Sequence, residues 1–95
     1  EFRVCDATAS PYMALGALIF AGADGIRKRL ALPPNEATLP ISLTAALDLM
    51  DASAAMKSWF GPVFFEAYLR HKRSEAAYVA DLPAEELCAR YADVY

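Results

Sequence analysis

The chain of 95 residues carries a formal net charge of −3, and 57% of it is hydrophobic. An acidic chain argues against a nucleic-acid partner, which calls for a basic face, and the uncharged run Met13 to Ala23 falls well short of the ~20 residues that a bilayer crossing needs. Cys5 and Cys88 form neither a C-x-x-C pattern nor a disulfide framework and read as reduced thiols of a cytoplasmic protein, while twenty alanines favour helix over sheet.

The chain opens on a short charged lead, Glu1-Phe2-Arg3, with the spacing of a strand. Side chains two apart on a strand share a face, so Glu1 and Arg3 stand side by side. A carboxylate suits oxygen-preferring divalent metals, and a guanidinium suits bidentate recognition of a carboxylate or phosphate. Alone, such a pair is an ordinary surface feature, because exposed charge pairs contribute little. A turn follows and ends in Ser10-Pro11, where Ser10 is expected to cap a helix with its hydroxyl and Pro11 to occupy the first helical position.

That first helix is predicted to run to Leu30, with Tyr12, Leu15, Ile19, Ile26 and Leu30 at helical spacing and Leu18 and Phe20 on other faces, and to be buried on more than one side. Its glycines each cost roughly 1 kcal/mol of helix propensity relative to alanine, a cost that close packing would offset. Ala31 to Ile41, with Pro33, Pro34 and Pro40, reads as a surface connection. Ser42 is placed to cap a second helix, whose stripe is Leu43, Ala46, Leu47 and Met50 with Asp48 and Asp51 outside it. Ala54 to Phe60 is expected to form a short helix with Trp59 as its packing anchor, ending at Gly61-Pro62.

Pro62 opens a fourth helix, Val63 to about Val79, with Phe65, Tyr68, Leu69, Ala76 and Val79 on the buried face and a Glu66–Arg70 pair outside. Arg70, His71, Lys72 and Arg73 wrap around that helix and read as solvated surface. Asp81-Leu82-Pro83 breaks it, and Ala84 to Tyr91 forms a last helix, with Glu85 and Glu86 at its positive end and Arg90 near its negative end. The fold class is mostly α: a short N-terminal strand plus about five helices, in one unit spanning 1–95.

Glu1-Phe2-Arg3, Asp6, Ala9-Ser10-Pro11-Tyr12, and Ala21-Gly22 with Asp24-Gly25-Ile26 resemble the C-terminal part of the catalytic domain of the glutamine synthetase family. The family pattern is an acid and an arginine two apart on a strand, an Asp-x-x-Ala-Asn-Pro-Tyr turn, and a helix ending in Ala-Gly-x-Asp-Gly. Ser10 stands where many members have asparagine, and both are good caps. A weaker likeness continues through Leu39-Pro40, Ser42-Leu43, Ala46-Leu47 and Phe64 to Arg73.

The resemblance implies the C-terminal helical part of an α+β catalytic domain. It also implies an ATP-dependent ligase that phosphorylates the side-chain carboxylate of glutamate and lets ammonia or another amine displace the phosphate. By the same resemblance Glu1 would hold a divalent metal, Mg²⁺ or Mn²⁺, and Arg3 would bind the carboxylate of substrate glutamate. The remaining ligands and the ATP contacts would lie N-terminal to Glu1, so the 95 residues are expected to be inactive alone and the parent to be a ring-shaped homo-oligomer. No tyrosine lies between Tyr12 and Tyr68, which argues against the adenylylation found in many bacterial members. The Phe60 to Phe65 region and the ending Arg90 to Tyr95 look closer to the branch that joins glutamate to amines such as putrescine. A non-catalytic homologue and a plain helical interaction module are the alternatives.

Overall fold

The first helix starts where Pro11 supplies a preset φ and needs no hydrogen-bond partner. In the computed structural model, which describes residues 9–32, 34 and 38–92, that helix is α1, Pro11–Lys28. The Ser10 carbonyl accepts from the Ala14 N–H at 2.9 Å, but its side chain makes no capping bond, contrary to expectation. The helix ends two residues before Leu30. Arg29 turns into the left-handed region at φ 51°, and the N–H groups of Arg29 and Leu30 donate to the carbonyls of Ile26 and Gly25. These two bonds satisfy terminal carbonyls in a Schellman arrangement.

The expected burial of α1 is not found. Tyr12 is 88% and Ile26 82% exposed, and Leu15, Ile19 and Leu30 are exposed as well. Periodicity marks a face as apolar, but burial needs a partner surface, and among the described residues the less exposed positions of α1, Met13, Ala14, Ala17 and Asp24, lie on the other side of the helix. Asp24 is the one buried residue of α1. The predicted N-terminal strand falls on residues 1–8, outside the described residues, and no strand occurs among those described.

By internal contacts the chain divides into Glu1–Ala37, which contains α1, and Thr38–Tyr95, which contains the remaining helices. In the second unit α2 spans Leu43–Asp51, α3 Ala54–Phe60, α4 Pro62–Tyr78 and α5 Ala84–Tyr91. Ser42 caps α2 as expected, accepting from the Ala45 N–H at 3.1 Å, and Ser53 caps α3 by accepting from Met56 at 3.2 Å. Each such cap contributes about 1 kcal/mol. Gly61 joins α3 to α4 at φ 77°, ψ 153°, a conformation open essentially only to glycine, so the Gly-Pro pair ends one helix and begins the next.

The core lies where α2, α3 and α4 meet: Leu47, Phe65 and Leu69 are buried, with Met50, Met56 and Tyr68 packed against them. Phe65, 1% exposed, is its centre, and burying such a ring contributes about 1.5–3 kcal/mol. Trp59, the expected anchor, is only half-buried. Phe64 instead faces outward in a ladder with Phe60 and Tyr68, at ring separations of 5.6 and 6.0 Å. No helix among the described residues is long and apolar enough to cross a membrane.

Candidate functional site

The two residues singled out for chemistry, Glu1 and Arg3, lie outside the described residues, as do Cys5 and Asp6. The latter part of the same signature is described, on α1. There Asp24 is nearly enclosed and its carboxylate lies 2.7 Å from Lys28 Nζ, one helical turn on. Acid four residues before base is the favourable order on a helix, and a buried carboxylate needs a partner of this kind. The spacing was visible in the sequence, although the pairing was not anticipated. Around it, a Cβ on Gly22 or Gly25 would meet nothing within 4 Å, so no neighbour among the described residues accounts for either glycine.

The polar side chains of the second unit are largely engaged with one another. Arg73 of α4 reaches Asp48 at 3.1 Å and Asp51 at 2.9 Å, tying α4 to α2. Lys72 donates to Glu75 at 2.7 Å, and Lys57 lies 3.4 Å from Glu66 while its ammonium stands 5.9 Å from the centre of the Phe65 ring. Two of the four basic-capable residues of α4 are thus engaged with acids instead of simply solvated, and the Glu66 partner found is Lys57, not Arg70. The two acids of α2 are brought to Arg73 only by helix packing, since Asp48 and Arg73 are 25 residues apart and no local pattern relates them.

The hydrogen bond from Lys72 holds the Glu75 carboxyl below its ordinary range. The charges of Lys72 and His71 add to that effect, while burial opposes it. On α5, Arg90 pairs with Glu86 at 3.4 Å and lies over the Tyr78 ring at 5.2 Å. An open groove of about 420 Å³ is lined by Leu43, Thr44, Lys72, Glu75, Val79, Leu87 and other residues of α2, α4 and α5.

His71, the single histidine, is exposed on α4. Among the described residues no group of three or more His, Cys, Asp or Glu side chains is placed to hold a metal ion. An oxygen-preferring divalent ion matches the carboxylate of Glu1 in chemistry, yet one carboxylate is a small part of the six or so donors such an ion takes. The chemistry proposed for this chain therefore rests on its first residues.

Comparison with known proteins bears on the same residues. The family described as "Glutamine synthetase, catalytic domain" matches residues 1–91. Glutamine synthetase of Methanocaldococcus jannaschii is 32% identical over 92 residues, covering 79% of this chain and 20% of that protein. The glutamine synthetase of Streptomyces coelicolor is 34% identical over 92 residues, covering 78% of this chain and 20% of its own length. "Gamma-glutamylpolyamine synthetase GlnA3" of the same organism is 28% identical over 108 residues, covering 96% of this chain and 23% of its own length. The chain thus spans about a fifth of the length of the curated relatives it matches. No solved structure matches it significantly.

Proposed function

This chain belongs to the glutamine synthetase catalytic-domain family, and on that premise we propose that it is the C-terminal part of an ATP-dependent ligase joining glutamate to ammonia or another amine. The observation that carries this reading is the family match over residues 1–91, which includes both Glu1 and Arg3. In the proposed reaction the γ-phosphoryl group of ATP passes to the side-chain carboxylate of glutamate, giving an acyl phosphate and ADP. The amine nitrogen then attacks the acyl carbon, phosphate leaves, and the nitrogen gives up a proton to form the amide.

Within that scheme Glu1 offers a carboxylate to a divalent metal, Mg²⁺ or Mn²⁺, which would offset phosphoryl charge. Arg3 would hold the carboxylate of glutamate through paired N–H donors and so orient it for phosphorylation. The other ligands and the ATP contacts would come from parts of the protein beyond these residues, and the 95 residues by themselves would not turn over. The exposed apolar residues of α1, together with glycines whose space is unused among the described residues, support packing against the rest of the catalytic domain in a larger assembly. A cytoplasmic homo-oligomeric ring is the form we propose for the complete protein.

A second reading takes a polyamine such as putrescine as the amine. It is favoured by the match to GlnA3 extending over 96% of this chain, against 79% for the M. jannaschii glutamine synthetase. The test is glutamate-dependent ADP release by the complete protein with Mg²⁺, comparing ammonia, putrescine and no amine. Release with ammonia supports the glutamine synthetase reading, and release with putrescine but not ammonia supports the polyamine branch. Folded, assembled protein that releases no ADP under any of these conditions overturns both and leaves a non-catalytic homologue.

A further inference from the structure

We draw no further inference here: the strongest candidate, the open groove between α2, α4 and α5 lined by Leu43, Val79 and Leu87 beside the Lys72–Glu75 pair, carries nothing because nothing in the structure shows what covers it.

Discussion

Replacing Phe65 with alanine tests how the helical unit Thr38–Tyr95 holds together. Phe65 is 1% exposed and is packed with Leu47 and Leu69, the other buried core residues among those described. Truncating a buried phenylalanine costs about 3–5 kcal/mol, through lost transfer energy plus a residual cavity. A unit of this length has a total stability of about 3–9 kcal/mol at ~0.05–0.15 kcal/mol per residue, so the loss is comparable to the whole. Far-UV circular dichroism of the 95-residue chain should show Phe65→Ala without a cooperative thermal transition.

Phe65→Leu keeps the measurement quantitative should the alanine variant fail to fold. It should cost about 1–1.5 kcal/mol, and at roughly 4–8 °C per kcal/mol for a domain of this size the midpoint should fall by several degrees. Val63→Ala is the control: Val63 is 84% exposed on the same helix, so its cost should stay within about 0.5 kcal/mol. A Phe65→Ala chain that melts within a few degrees of the parent sequence, or a Val63→Ala chain that loses as much as it does, would refute the assignment of the core.

In the complete protein, Glu1→Ala should raise the metal concentration needed for turnover without unfolding the protein, and Arg3→Ala should chiefly raise KM for glutamate. Metal and glutamate titrations that match those of the unsubstituted enzyme would remove these residues from the site. Gly22→Ala should stabilise the 95-residue chain by up to about 1 kcal/mol, since the added methyl meets nothing and helix propensity improves. In the complete protein the same change should lower assembly or activity, read by gel filtration and ADP release; a gain in both settings would count against a close-packed partner at α1. Glu75 has its pKa lowered on folding, so its contribution is present above the ordinary glutamate value and is lost as pH falls through that value and below. The urea-midpoint gap between the unsubstituted chain and Glu75→Gln should therefore be present near neutral pH and narrow as pH falls below the ordinary glutamate value; a gap that does not narrow on acidification would contradict the Lys72 pairing.

Helix boundaries were legible along most of the described chain. Pro11, Ser42 and the Gly61-Pro62 pair announced where helices begin and end, and α2 to α5 lie within a residue or two of where periodicity put them, because caps and turn residues act on their own backbone. The family, too, was legible, since an ordered set of non-interchangeable residues from Glu1 to Ile26 is a pattern of identities and does not depend on packing. Tertiary structure decided which of those local elements meet. It chose Phe65 over Trp59 as the core ring and drew Asp48 and Asp51 to Arg73 across more than twenty residues. It also left Tyr12, Leu15, Ile19 and Ile26 of α1 exposed among the described residues. Periodicity marks a face as apolar, but only another surface, reached through the fold, determines whether that face is buried.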